Sequence, residues 1–146
     1  MILAVFLIAT TLEIGLSFPA SGLDDEVNVG KYITVSHKVA SIKSVHFSPY
    51  IKFSRYPAIT TALSVMDAGA GVLVEPDIEI VGFSGSAGLG AGIFHSTKRV
   101  VRMEIYPVIK KEVKRDINLF LTFSVPLLFF KNVTVYSINI GLLLSI

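Results

Sequence analysis

The sequence lacks cysteine and tryptophan, and it has few charged residues. The absence of cysteine excludes disulfides, thiolate nucleophiles and cysteine-bound metals. Asp, Glu, Lys and Arg make up 16% of the 146 residues, whereas an ordinary soluble domain carries about 25%. Apolar residues make up 52% of the chain. The protein is therefore more apolar than a soluble domain of this size needs to be.

The sequence also lacks a long hydrophobic run. A membrane-spanning helix needs roughly 18 to 20 consecutive apolar residues, and the longest uninterrupted run here is Ile2–Ala9. Residues 1–9 are either the remnant of a secretory signal peptide, without the basic residue that usually precedes one, or the start of the first strand. We expect residues 10–146 to form a single domain.

Alternation of apolar and polar residues with a period of two dominates the rest of the chain, and this pattern is typical of β-strands. It is clearest around Phe47–Phe53 and Tyr136–Leu142. Nine segments carry it: Thr11–Phe18, Val27–Ser36, Ile42–Ser54, Ala58–Met66, Gly71–Val81, Ser86–Phe94, Val100–Ile109, Ile117–Phe130 and Val133–Ile146.

Short turn signals separate these segments, among them Asp67–Gly69 and Lys110–Asp116. Short connections between consecutive strands indicate hairpins and an antiparallel sheet. Because single-chain bacterial barrels have even strand numbers, nine segments mean either eight strands, with the weakly patterned Ala58–Met66 in a loop, or ten. We predict an all-β, antiparallel, up-and-down transmembrane β-barrel of about eight strands.

The composition of the polar face indicates which face points inward. A soluble exterior would be rich in Lys and Glu, but this face carries mainly Ser, Gly, Thr and Asn, which suit a narrow barrel interior. The few charges are of both signs, so we expect Glu75, Asp77 and Glu79 to pair with Arg102, Lys52 and His46 across the lumen. The predicted lumen-facing polar residues are Ser44, His46, Ser48, Tyr50, Lys52, Glu75, Asp77, Glu79, Arg102 and Glu104.

Two features need a structural explanation in such a barrel. Pro49, Pro76, Pro107 and Pro126 fall inside predicted strands. Proline removes a ladder hydrogen bond, so each requires a bulge or a strand break. Lys31 falls on the apolar face, where it is tolerated near the membrane interface.

No motif in the sequence indicates catalysis, and we predict no cofactor. His37, His46 and His95 are widely spaced in sequence, so we expect no metal site. A carboxylate pair within Glu75–Glu79 is conceivable in a catalytic role, but lumen charges neutralised by basic partners explain it better. The cluster Lys110–Asp116 mixes charges of both signs, which favours a solvated turn and argues against nucleic-acid binding.

The run Ala87–Ile93, with glycine at alternate positions, and the closing hairpin Leu119–Ile146 resemble small bacterial outer-membrane β-barrels. The chain departs from that pattern at its C-terminus, which is Ile146 rather than an aromatic residue. The resemblance implies a non-enzymatic barrel in the outer membrane, with a structural or narrow-pore role in the cell envelope. It also implies the lipid bilayer and the bacterial barrel-assembly machinery as partners. The alternative is a soluble or periplasmic barrel or sandwich that buries its apolar face around a lipid-like ligand.

Overall fold

The computed structural model describes residues 10–20, 27–59, 64–96 and 98–146. Residues 1–9, with their two sequence interpretations, lie outside this part. The described residues form strands and one short 3-10 helix, Arg115–Ile117. The strands are β1 (Thr10–Pro19), β2 (Gly30–His37), β3 (Ala40–Ile42), β4 (Val45–Pro57), β5 (Ser64–Pro76), β6 (Glu79–Ile80), β7 (Phe83–His95), β8 (Arg99–Lys114), β9 (Leu119–Ser124), β10 (Leu127–Phe129) and β11 (Thr134–Ser145).

These strands close into an antiparallel barrel. Pairing runs β1–β2–β4–β5–β7–β8, then through β9 and β10 to β11, and β11 pairs back with β1. Because β9 and β10 both lie between β8 and β11, they are two halves of one strand. The short β3 and β6 extend hairpins against β4 and β7. The barrel therefore has eight strands, which confirms the predicted fold class.

Two predicted turns lie inside strands instead. β8 continues to Lys114, so most of the predicted turn Lys110–Asp116 belongs to this strand. β5 runs from Ser64 to Pro76 without interruption, so the predicted turn Asp67–Gly69 lies inside a strand. The predicted segments Ala58–Met66 and Gly71–Val81 both contribute to this strand, although residues 60–63 are outside the described part. The eight-strand count is thus reached by merging two predicted segments.

The alternation places apolar side chains outside and polar side chains inside. In β4, Ile51 is 66% exposed whereas its neighbour Lys52 is 3% exposed. In β11, Ile140 is 45% exposed and Asn139 is 1% exposed. A soluble barrel would show the opposite arrangement. The predicted orientation of the two faces is therefore confirmed along these strands.

The apolar outer face has the height of a membrane core. In β7 the outward side chains are apolar or glycine from Phe83 to Ile93. Ten residue steps of a β-strand cover about 33 Å along the strand, or about 25 Å in height at a tilt near 40°. This matches the apolar band of about 25 Å that surrounds outer-membrane barrels.

The four prolines lie where the ladders are interrupted. Pro126 separates β9 from β10, and Pro107 of β8 lies opposite that break. Pro49 of β4 lies opposite the gap between β2 and β3, and Pro76 ends β5. Because no ladder hydrogen bond is needed at these points, the barrel closes despite its prolines.

The two ends of the barrel differ in their connections. We call "turn end" the end with the tight turns Lys43–Ser44, Val81–Gly82 and Arg115–Asn118, where both Thr10 and Ile146 lie. Val81 and Gly82 both have positive φ, as a type I′ hairpin turn requires. We call "loop end" the opposite end, where residues 20–29, 58–63, 96–98 and 130–133 connect the strands.

Candidate functional site

The interior of the barrel is the candidate site, and three zones follow one another along its axis. The cup opens at the turn end, the waist fills the middle, and the plug lies at the loop end. The waist consists of Glu13, Tyr32, Tyr50, Lys52, Asp67, Arg102, Glu104, Tyr106 and Thr122, whose side chains come from six strands.

An ion-pair network around Arg102 forms one half of the waist. Its guanidinium donates two hydrogen bonds to the Asp67 carboxylate, Nε to Oδ1 at 2.6 Å and Nη2 to Oδ2 at 2.6 Å. Arg102 Nη1 lies 3.3 Å from Oε2 of Glu104, which also accepts from Lys52 Nζ at 2.5 Å. Tyr50 donates to the other Glu104 oxygen at 2.6 Å. Two cations thus balance two carboxylates, as burial in an apolar environment demands.

A second network surrounds Glu13, which is 4% exposed. Its carboxylate accepts hydrogen bonds from the hydroxyls of Tyr32 at 2.6 Å, Thr122 at 2.7 Å and Tyr106 at 3.1 Å. Among the residues that the structure describes, no basic side chain forms an ion pair with Glu13. Hydroxyl donors, rather than a basic side chain, therefore satisfy the oxygens of this buried side chain.

Tyr106 joins the two networks. Its ring lies 4.5 Å from Nζ of Lys52 and 5.7 Å from the ring of Tyr50, measured to the ring centres. The side chains of Arg102, Glu104 and Tyr106 are each less than 2% exposed. The middle of the barrel is therefore filled with side chains that are bonded to one another across the lumen.

Glycine creates the room for the large waist side chains. A Cβ at Gly69 would lie 2.6 Å from Nη2 of Arg102, and one at Gly90 would lie 2.6 Å from the hydroxyl of Tyr50. Both distances are shorter than a van der Waals contact, so these positions accept no larger residue without displacing a waist side chain. Gly69 and Gly90 are thus matched to the waist, whereas Gly71 and Gly92 allow a close approach to the backbone of the neighbouring strand.

The plug closes the loop end of the lumen with apolar side chains. Its buried members are Val27, Tyr56, Val65, Leu128 and Val135. Phe94 and Phe130 pack against them, edge to face with ring centres 5.4 Å apart. The Tyr56 hydroxyl reaches back toward the waist and hydrogen bonds to Ser17 Oγ at 2.7 Å. The plug is thus a small hydrophobic core inside a polar lumen.

The cup is a polar cavity of about 320 Å³ at the turn end. Glu13, Thr34 and Tyr106 lie at its base, and Lys110 and Glu75 form an ion pair of 2.7 Å in its wall. Because the waist and plug fill the lumen beyond it, the cup is open at one end only.

The structure brings together seven of the ten predicted lumen-facing residues, in two groups. Tyr50, Lys52, Arg102 and Glu104 meet in the waist. His46, Ser48 and Glu75 line the cup.

Three of the predicted residues lie outside the lumen. Ser44 is exposed in the Lys43–Ser44 turn, and Asp77 and Glu79 are exposed in the β5–β7 hairpin. This correction has a simple reason: the hairpins extend past the closed barrel wall at the turn end, where neighbouring strands no longer enclose a lumen.

The ion pairs in the structure also differ from the predicted ones. Glu75 pairs with Lys110, and Lys52 and Arg102 pair with Glu104 and Asp67. His46 hydrogen bonds to Ser41 through Nδ1 at 2.8 Å. Asp67 was missed because Asp-Ala-Gly indicates a turn. The polar-face positions of Glu13, Tyr32 and Tyr106 were a usable signal that composition alone did not single out.

Comparison with solved structures identifies the architecture. The outer membrane protein Ail of Yersinia pestis, in a phospholipid bilayer nanodisc, superposes with a TM-score of 0.63 at 11% identity, over 93% of this chain and 97% of that one. Neisserial surface protein A (NspA) superposes with a TM-score of 0.58 at 11% identity, over 94% of this chain and 96% of that one. The fold is that of small outer-membrane barrels. At this identity the likeness establishes the fold alone.

Sequence comparison adds nothing to this. No family model matches the chain, and no curated protein matches it. In the described ranges, no group of three or more His, Cys, Asp and Glu side chains is placed to hold a metal ion. The part of the chain that the structure describes contains no helix long and apolar enough to span a membrane.

Proposed function

We propose that this protein is a non-enzymatic barrel of the outer membrane with a structural role in the cell envelope and a lumen closed to solutes. Its partners would be the lipid bilayer and the machinery that inserts barrels into the outer membrane. The observation that carries the proposal is the reversed distribution of polarity, with Arg102 and Glu104 buried inside while Ile51 and Leu89 are exposed outside. A hydrocarbon environment makes that distribution stable, and water does not.

The filled interior favours a structural role over a narrow pore. A conducting barrel keeps a continuous water-filled path through its lumen. Here the waist is closed by bonded side chains such as Arg102 and Tyr106, and the plug closes the loop end. The rigid barrel would serve to anchor the chain and to present its loop-end connections at the membrane surface.

The polar interior and apolar exterior argue against the alternative of a soluble, ligand-binding barrel. It requires an apolar cavity inside the barrel and polar side chains outside. Instead Asn139 is buried and Ile140 is exposed. The cup is too polar in its lining to hold a lipid-like ligand, because Glu13, Glu75 and Lys110 contribute to it.

Two measurements test the proposal together. The purified protein should remain in solution only with detergent or lipid, and an unheated sample should migrate differently from a boiled one on an SDS gel. Reconstituted into planar bilayers, it should give no steady conductance under conditions in which a general porin does. Full solubility without detergent would contradict the membrane location. Stable channel openings would contradict only the proposal that the lumen is closed to solutes.

The absence of an enzymatic role has its own test. Glu75 is engaged with Lys110, and Asp77 lies in an exposed hairpin. The pair Glu75→Gln and Asp77→Asn should therefore leave barrel assembly and every envelope-associated phenotype of the wild type in place. Loss of a measurable turnover in this variant, with the barrel still heat-modifiable, would reopen the catalytic hypothesis.

A further inference from the structure

The outer face of the barrel carries basic residues opposite one another near the loop end. Lys31 of β2 is directly opposite Arg55 of β4, and both are exposed. The same row continues through Met66 and His95 to Arg99, which adds a third positive charge. Like charges in directly opposed cross-strand positions destabilise a sheet. Such a row is stable when an anion lies against it.

The described protein residues supply no such anion. No Asp or Glu in the part of the chain that the structure describes forms an ion pair with Lys31, Arg55 or Arg99. Arg55 donates from Nε to the hydroxyl of Ser64 at 3.0 Å, which leaves its terminal guanidinium nitrogens available. Both Lys31 and Arg55 can therefore receive a ligand from outside the chain.

An apolar groove of about 570 Å³ begins directly next to this pair. It exists because small and large side chains alternate across the strands. Ala68 and Ala70 of β5 form its floor, and Phe53 and Ile93 stand opposite Ala68 on the neighbouring strands. Since Phe53 is one outward position from Arg55, the groove runs from the basic pair toward the middle of the apolar band.

A second groove reaches the same basic pair from the other side. It has a volume of about 510 Å³, and Lys31 is part of its lining together with Leu16 and Ile140. Lys31 is directly opposite Leu16 on β1, so the lysine lies between the two grooves. The arrangement of one cationic centre with two apolar channels leading from it fits a phosphate headgroup with two acyl chains.

We propose that Lys31 and Arg55 bind the phosphate of an anionic phospholipid whose acyl chains occupy the two grooves. The arginine fork matches phosphate oxygens geometrically, and the lysine stem can lie along apolar surface while its ammonium reaches the headgroup level. This inference rests on the proposed membrane location, and it adds a lipid selectivity that a barrel does not need in order to insert.

The test uses the full chain in detergent micelles, with phosphatidylglycerol and phosphatidylcholine of identical acyl chains as probes. Native mass spectrometry measures how much of each lipid is retained. Because a basic residue near a membrane surface contributes about 1 kcal/mol toward an anionic lipid, two should favour phosphatidylglycerol about 30-fold. Lys31→Gln with Arg55→Gln should abolish this preference. Lys43→Gln with Lys114→Gln changes the net charge equally at exposed positions of the turn end, at the other end of the barrel, and should leave the preference unchanged.

A variant that keeps the charges tests the groove. Ala70→Leu fills the floor of the first groove from an outward-facing position, where a larger apolar side chain is compatible with a lipid environment. It should reduce retention of both lipids without changing their ratio. Inorganic phosphate should compete only weakly, because it lacks acyl chains. Strong competition would instead indicate a simple anion site and would overturn the proposal.

The remaining outcomes separate the two proposals. If the wild type inserts and is heat-modifiable but retains both lipids equally, the lipid site is wrong and the membrane barrel stands. If the wild type retains little of either lipid and cross-linking shows dimers that cover the grooves, the lipid site is again wrong. If the protein needs no detergent at all, both proposals fail together.

Discussion

The waist and the plug close the same lumen by opposite means. The waist is made of charged and hydroxyl groups that bond across the barrel, with Arg102 connected to both Asp67 and Glu104. The plug is made of side chains such as Leu128 and Val135 that only pack. A directed network fails when one partner is removed, because the others stay buried and unsatisfied. A packed cluster loses only the contacts of the deleted atoms and the cavity they leave.

The largest effect should come from removing one partner of the waist. Arg102→Met leaves the Asp67 and Glu104 carboxylates buried with Lys52 as their one remaining cation in the network. We expect a loss of about 3–5 kcal/mol in the free energy of unfolding. Urea titration in detergent micelles, with the folded fraction read from unheated gels, measures it. Arg99→Met, an exposed arginine in the same strand, is the matched control.

The double variant Arg102→Met with Asp67→Leu sharpens this prediction. It removes an opposite-charge pair as a unit and leaves the Lys52–Glu104 ion pair intact. Replacing a buried ion pair by apolar groups is often close to neutral. The double variant should therefore be more stable than the single one. If it is less stable, the Arg102–Asp67 pair contributes to stability beyond charge neutralisation.

Truncating a plug side chain should lower the free energy of unfolding by the packing contacts that are lost. Leu128→Ala removes a side chain that is 5% exposed, and core truncations of this kind cost about 2–5 kcal/mol. Because this truncation leaves no buried charge without a partner, we place Leu128 in the lower half of that range, below the effect of Arg102→Met. The same truncation at Leu121, which faces outward and is 46% exposed, is the control. Equal effects at the two leucines would contradict the existence of a packed plug.

Replacing a glycine that faces the waist should have an intermediate effect on the free energy of unfolding. In Gly69→Ala the new Cβ meets the Arg102 guanidinium at 2.6 Å. Overpacking of this kind costs about 1–3 kcal/mol. In Gly85→Ala the nearest atom is 3.6 Å away, an ordinary contact, so this control should lie near wild type in the same urea titration. A neutral Gly69→Ala would mean that Arg102 has more room than the structure indicates.

The waist also shows where sequence reasoning ends. Alternation with a period of two assigned Lys52, Arg102 and Glu104 to one face, because each strand carries that information locally. It did not reveal that Arg102 bonds to Asp67, since the two are 35 residues apart. That contact depends on strand register, which is set by the packing of the whole barrel. A local turn signal at Asp67–Gly69 was overridden for the same reason.

The ends of the barrel were equally hard to predict. Asp77 and Glu79 alternate with Ile78 and Ile80 as regularly as lumen residues do. Whether such a face lines a lumen depends on whether neighbouring strands enclose it at that height, and the sequence of one hairpin does not contain that information. The prolines were more informative. The need for a strand break was predictable at Pro126, whereas the gap between β2 and β3 opposite Pro49 follows only from the register.

The smallest effect tests the one hydrogen bond described between the plug and the polar wall of the lumen. Tyr56 belongs to the plug, and its hydroxyl bonds to Ser17 at 2.7 Å, so Tyr56→Phe removes one buried hydrogen bond and leaves the ring in place. We expect a loss of about 0.5–1.5 kcal/mol in the same urea titration. Ser17→Ala should cost a similar amount, and the double variant should cost less than the sum because both singles break the same bond. Strict additivity would mean that the two hydroxyls do not interact, and that the plug is held in the lumen by packing alone.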